Sequence, residues 1–265
     1  MKKDKFLQMA RLLLTPLVMI LLGLLLPALL LLAWWWVTTY TDISHAILPS
    51  IPEVWRTLRE FLADGTLAGD LGCSLSRVLK GYAIAAALGI CAGSVMGMWH
   101  GAYDLLHPFI TAVRQIPVIA WIPLIILWYG IGETSKVVVI AIAAFFPITL
   151  NTLGGFQSLP SGYLEVARLY RLGVSETFRK VYLPNALPQI LVGLKLGLGS
   201  SWMAVVAAEL IAANSGIGYR LSYSRGLLRS DAVILCMLVI GLVGILMDKL
   251  LTALFRLLLP WQKKA

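Results

Sequence analysis

Apolar residues in this chain come in long unbroken blocks separated by short polar stretches. Six blocks stand out, at residues 12–37, 81–99, 115–129, 137–153, 186–211 and 232–255. A helix rises 1.5 Å per residue, so about 20 residues cross a bilayer's hydrocarbon core. The pattern predicts an all-α integral membrane protein, a six-helix transmembrane bundle filling one domain over residues 1–265. The third, fourth and sixth blocks are short by charge-free length. In the first, Leu12 to Thr41 runs thirty residues without a charge, far beyond a signal-peptide core, and is expected to be a retained span. Trp34, Trp35, Trp36 and Tyr40 at its end form the expected interfacial aromatic belt.

Three polar stretches punctuate the blocks. Residues 52–62 read as a short amphipathic helix outside the membrane, with Val54, Trp55, Leu58 and Leu62 near one face. Residues 213–231 are polar and glycine-broken, either an ordinary loop or a cover over one mouth of a pathway. Residues 161–184 carry Arg168, Arg171, Arg179 and Lys180 between two apolar blocks. Two short helices are predicted there. Leu164, Ala167 and Arg171 share a face of the first, with Glu165 and Arg168 spaced as an i,i+3 pair. Gly173 breaks the pair of helices. Val174, Phe178, Val181 and Tyr182 form an apolar stripe on the second, and Pro184 and Pro188 end it. Such an insert either offers an apolar knob to a soluble partner or lies on the membrane surface.

Within the blocks, Gly89, Gly93 and Gly97 give one face small-xxx-small spacing, which serves packing inside one subunit or between two. Pro117 and Pro123 interrupt the third block, and irregular backbone at membrane depth belongs where it is buried or lines a cavity.

Composition agrees with the pattern. The chain is 59% hydrophobic and 13% charged, with a mean hydropathy of +0.85, against about 25% charged in soluble domains. No GxxxxGK[ST] phosphate-binding loop is present. The net charge of +9 reads as cations at the ends of membrane helices rather than as a nucleic-acid footprint. With the N-terminus inside, thirteen Lys and Arg fall on the cytoplasmic side and eight outside, so both termini and the 161–184 insert are expected in the cytoplasm. Cys73, Cys91 and Cys236, and the three histidines, have no metal-ligand spacing.

Glu165-Val166-Ala167, then Gly173, then Leu183-Pro184 resembles the E-A-A…G…L-P coupling motif of ABC importer permeases of the binding-protein-dependent (type I) class. Val166 departs from it, standing where the motif has its first alanine. The resemblance extends over most of the chain. LPSIPEVW at 48–55, Ser-Leu-x-Arg-Val at 74–78, IPVIAWIPLIILWYGIGETSK at 116–136 and AAELIAANSGIGYRL at 207–221 are similar to the nitrate, taurine and alkanesulfonate group. It implies a permease in a bacterial inner membrane, paired with a second and identical subunit. It implies a cytoplasmic ABC ATPase dimer that binds ATP and magnesium, this chain holding no cofactor and catalysing nothing itself. It also implies a periplasmic or lipid-anchored binding protein that delivers a small anion. By the motif, Glu165, Ala167, Arg168, Gly173, Phe178, Leu183 and Pro184 would couple to the ATPase.

For the substrate path, charge at membrane depth is the guide, since it is costly there. Lys195 would attract an anion, pair with a carboxylate or snorkel to the interface. Glu209 would be a structural or gating residue paired with an arginine at the outer side. Ser200, Trp202 and Asn214 add polar edges. Arg220, Arg225 and Arg229 would steer an anion or pair with carboxylates. Two other function classes remain on these residues. An ion-coupled secondary transporter would show related halves, and none are apparent. An intramembrane enzyme would need paired acids or metal ligands within the spans, and none are found. The cargo stays open between sulfonates, taurine, nitrate and a different solute such as a thiamine-precursor pyrimidine.

Overall fold

The computed structural model of the chain describes Gly23 and residues 25–258. Among these residues there is no strand. The helices are α1 (Leu25–Tyr40), α2 (Ile51–Ala63), α3 (Thr66–Met98), α4 (His100–Val113), α5 (Val118–Tyr129), α6 (Glu133–Gln157), α7 (Ser161–Leu169), α8 (Val174–Thr177), α9 (Leu183–Ala212), α10 (Ile217–Gly226) and α11 (Ser230–Leu258). A π-helical turn, Phe178–Tyr182, joins α8 to α9. Residues 12–22 of the first apolar block, and the flanking lysines at both termini, lie outside the described residues.

α6 is the central helix, gripped on two sides by rows of small residues. On α3, a Cβ at Gly93 would stand 2.6 Å from both the Thr149 carbonyl and Thr152 Cβ; at Gly89 it would stand 2.9 Å from Ile148, and at Gly97 it would overlap Phe156. On α9, Gly193 and Gly197 meet Pro147, Ile148 and Ala144 in the same way. The glycine stripe of α3 thus serves packing within the chain. Small residues let backbones approach, and dispersion across the close contact takes the place of a hydrophobic driving force between helices in lipid.

Helices α3, α6, α9 and α11 are each long and apolar enough to cross a membrane. The third predicted span differs from the sequence reading. Residues 115–129 do not form one crossing: α5 holds 12 residues, about 18 Å, and is preceded by α4 at an angle of 97°. Pro117 caps α5 after an irregular link, whereas Pro123 sits inside the helix without breaking it. Counted as one bent span, the pair brings the crossings to five among the described residues; α1 is apolar but, at Leu25–Tyr40, shorter than a full crossing. α3 starts at Thr66, well before residue 81, because Leu67, Asp70, Ser74, Arg77 and Val78 are buried against other helices and the polar ones have partners there. The stretch 213–231 contains a helix, α10, where a loop is expected from composition.

α2 turns a different face inward from the one predicted. Val54, Thr57 and Phe61 are buried, while Trp55 and Leu62 are exposed. Thr57 Oγ1 donates to Asp231 at 2.5 Å, and the guanidinium groups of Arg220 and Arg229 stand over the Phe61 ring at 5.7 and 5.8 Å. A buried threonine with a carboxylate partner is compatible with this face, so apolarity alone misassigned it.

Candidate functional site

Two regions, one at each end of the bundle, concentrate the residues singled out by the sequence. The first is an elbow over 161–184. α7 ends in a Schellman motif: Leu172 N–H donates to the Ala167 carbonyl at 3.0 Å and Arg171 N–H to the Arg168 carbonyl at 2.9 Å. The left-handed residue this requires is Arg171, with φ 51°, not a glycine. Gly173 has φ −66° and open space where a Cβ would stand, so the expected glycine break lies two residues earlier, at an arginine. Glu165 forms no ion pair with Arg168; the acid–base pair of the elbow is Glu176 to Lys180, at 2.9 Å.

Pro184 does not end the second helix either. α8, the π turn and α9 form one helix over Val174–Ala212, 39 residues long. Leu183 N–H donates to the Phe178 carbonyl, five residues back. A proline lacks its N–H and crowds the carbonyl four residues before it, and a wider turn just ahead relieves that. Tyr182 stacks on Phe156 of α6 with ring centroids 5.5 Å apart, and Phe178 lies 5.9 Å from the same ring. Asn185 Nδ2 donates to the Gly155 carbonyl at 3.0 Å. Phe178, Tyr182 and Leu183 therefore anchor the elbow rather than present a knob. The exposed apolar side chains are Tyr163, Val166, Leu169, Tyr170 and Val174, flanked by exposed Arg168 and Arg171; Ala167 is buried beneath them.

The second region is an ionic cluster at the opposite end. Arg77 of α3 is 3% exposed and makes five hydrogen bonds. Nε and Nη2 donate to Glu133 of α6 at 2.7 and 2.6 Å. Nη1 donates to Glu209 of α9 and to the Ser215 carbonyl, both at 2.7 Å, and Nη2 also reaches Ser215 Oγ at 2.8 Å. Glu209 is buried and further held by Ser74 Oγ at 2.9 Å and Gly218 N–H at 3.0 Å. Asp70 accepts from Gly216 N–H at 2.9 Å and Arg220 Nε at 2.7 Å. Lys136 Nζ lies 3.2 Å from Glu133. The six charges, three of each sign, cancel. A buried charge is tolerated when it is paired and its remaining protons and lone pairs are used, as they are here. Gly216, at φ +110°, leaves no room for a Cβ, which would overlap the Glu209 carboxylate.

The five substrate-path candidates do not converge. Glu209 has the arginine partner expected of it, Arg77. Lys195 pairs with Asp248 of α11 at 3.2 Å, both side chains about half exposed, some 21 Å along α9 from Glu209. Trp202 is buried and donates Nε1–H to the Ile240 carbonyl at 3.0 Å, which makes it a packing residue. Ser200 is half-buried on α9, and Asn214 is exposed beyond its end. Arg220 and Arg229 are paired, the latter with Glu60 and Asp231.

Sequence reasoning missed Asp70, Ser74, Arg77, Glu133 and Lys136 as one unit. The signal lay in three of the quoted stretches, 74–78, 116–136 and 207–221, which are far apart in sequence and meet at this cluster. No group of metal-ligating residues occurs among the described residues.

Comparison with known proteins agrees with the folded arrangement. Residues 87–264 match the family described as binding-protein-dependent transport system inner membrane component. The taurine transport system permease protein of Escherichia coli is 36% identical over 230 residues, 85% of this chain and 84% of that protein. A Bacillus subtilis protein named as an aliphatic sulfonates transport permease is 35% identical, over 91% of this chain and 87% of its own. The nitrate import permease protein of Synechocystis is 35% identical, over 78% and 77%. Among solved structures, a chain of an amino acid ABC transporter aligns with TM-score 0.62 at 17% identity, over 75% of this chain and 97% of that one. A chain of the MetNI methionine ABC transporter aligns with TM-score 0.56 at 19% identity, over 77% and 98%. At those identities the structures speak for the fold alone; the sequence relatives and the family match carry the assignment. With the elbow in place between α6 and α9, the chain belongs to the family of binding-protein-dependent ABC transporter inner membrane permeases.

Proposed function

We propose that this permease carries a small anion of the alkanesulfonate, taurine or nitrate class into the cell, worked through the 161–184 elbow by a separate ATPase. Two copies of the chain would enclose the pathway in a bacterial inner membrane, with both termini and the elbow in the cytoplasm. The ATPase pair would hold ATP and magnesium. A periplasmic or lipid-anchored binding protein would bring the cargo to the opposite, outer end. The names of the relatives at about 35% identity support the cargo class.

The observation that carries the reading is the elbow's construction. Its exposed side, Tyr163, Val166, Leu169, Tyr170 and Val174, is apolar and rimmed by arginines, as a protein-docking patch is. Its second half is continuous with α9, a helix of about 58 Å. Force applied at the patch would pass from α7 through the turn at Arg171–Gly173 into this helix, which runs to the far end of the bundle. Closing of the ATPase dimer would draw two elbows together and tilt both α9 helices, exchanging the side on which the pathway is open. Selectivity would rest mainly with the binding protein, consistent with the scattered positions of Lys195, Ser200, Trp202, Glu209 and Asn214.

The test is uptake into proteoliposomes holding the permease, its ATPase and its binding protein. Taurine, an alkanesulfonate or nitrate should accumulate only with ATP. Failure of all three cargoes, with ATP hydrolysis intact, would refute the cargo class; ATP-independent uptake driven by an ion gradient would refute the mechanism.

A further inference from the structure

Two carboxylates of opposite character hold Arg77. The Glu209 side chain is fully buried at 0% exposure, whereas that of Glu133 is 63% exposed. Glu209 is also fixed by Ser74 and Gly218, inside the packing of α3, α9 and α10. Glu133 has only Arg77 and its own neighbour Lys136, one turn along α6. If Glu133 let go, Arg77 would lose two of its five hydrogen bonds and keep Glu209 and both Ser215 contacts. Arg77 would not be stranded, because Glu209 still pairs with it. Release of Glu209 would strand a buried charge, at a cost that opposes it.

Glu133 is also where a breakable segment is tied down. It follows Gly130, at φ +75°, and Gly132, which link α6 to the half-span α5. The other end of α5 is the Pro117 break. Between these two breaks, α5 rests on a small apolar patch: Ile122 and Ile125 against Val139, Ala143, Ala204 and Ala208. Lys136 lies buried under it, beside Ile122, Ile126 and Ala208. Glu209 lies near the far end of the elbow's long helix, Val174–Ala212, so the elbow and Arg77 sit at opposite ends of one helix.

We propose that the Glu133–Arg77 pair is the releasable half of a two-carboxylate clamp, which fastens α5 and the first turn of α6 to the α3–α9 core and opens as α5 lifts during transport. Glu133 is a positioning residue; it touches no cargo. The inference rests on the importer reading for what the motion is for, but the fastening itself can be measured on the permease alone.

The permease is placed in nanodiscs with Cys73 and Cys91 replaced by serine and Ile122→Cys introduced. Cys236, fully buried elsewhere in the bundle, stays as a report of general loosening. A membrane-impermeant maleimide should modify Ile122→Cys at least fivefold faster when E133Q is added, with Cys236 still unreactive. E209Q should make both cysteines reactive. In the full complex, E133Q should raise ATP turnover without binding protein at least threefold. An unchanged rate at Ile122→Cys in E133Q, or Cys236 reacting in step with it, overturns the clamp. Wild-type complex that hydrolyses ATP without uptake would count against the importer reading and leave the labelling result standing.

Discussion

Arg77 is the residue on which most of the far end depends. Replacing it with alanine leaves Glu209 buried with no cation, and loss of one partner of a buried pair costs about 3–5 kcal/mol. R77A is expected to lower the thermal midpoint of the detergent-solubilised protein sharply, while R225A, at an exposed arginine with no carboxylate partner among the described residues, leaves it unchanged. A gentler effect sits at α2. His45 Nδ1 lies 2.9 Å from Glu53, and that hydrogen bond, with the Ser50 N–H at 2.7 Å, holds the Glu53 carboxyl below its ordinary value of 4.5. A lowered carboxylate contributes stability above its unfolded pKa and loses it as pH falls through the folded one. The midpoint advantage of wild type over E53Q should be present at pH 7 and shrink as the medium is taken below about 4.5.

Helix α3 tests what a glycine is for at the scale of an element. Gly93 faces the Thr149 carbonyl across a contact with no room for a side chain, while Gly72 on the same helix has open space. G93L should abolish stable, monodisperse protein on gel filtration; G72L should behave as wild type. The elbow tests the reverse case. Gly173 is the glycine of the stretch that resembles the coupling motif, yet neither its φ nor its surroundings demand glycine. G173A should co-purify the ATPase at wild-type level with a stability change within about 0.5 kcal/mol, as for ordinary surface positions. Leu169→Ser with Tyr170→Ser, on the exposed patch, should reduce co-purification several-fold without disturbing the fold.

The whole molecule is a stack of helices around α6, and on the proposed mechanism its longest helix would act as a lever. The lever, Val174–Ala212, has one irregularity, the π turn at Phe178–Tyr182, and that turn is braced by Phe156. Two glycines inserted after Thr177 would uncouple the patch from the rod while leaving both intact. ATPase subunits should still co-purify, and ATP-driven uptake should fall below about a tenth of wild type; retained uptake would mean that force does not travel through α9.

The sequence by itself determined the class of protein, the place of the elbow between two long apolar helices and the family, because these are written in local features: block length, hydropathy and a contiguous motif. It also placed α2 within a residue or two. Only the tertiary structure decided which faces of α2 and the elbow turn outward, since a buried threonine or an inward Phe178 is set by what lies across from it. It alone joined Arg77 to Glu133 and Glu209, which stand 56 and 132 residues away along the chain. Glu209 stood out as a charge at membrane depth with an arginine partner expected, but Arg77 and Glu133 looked like ordinary charges at helix ends. Ion pairing at such separations leaves no periodicity in the chain, so the clamp became visible once α3, α6 and α9 were side by side.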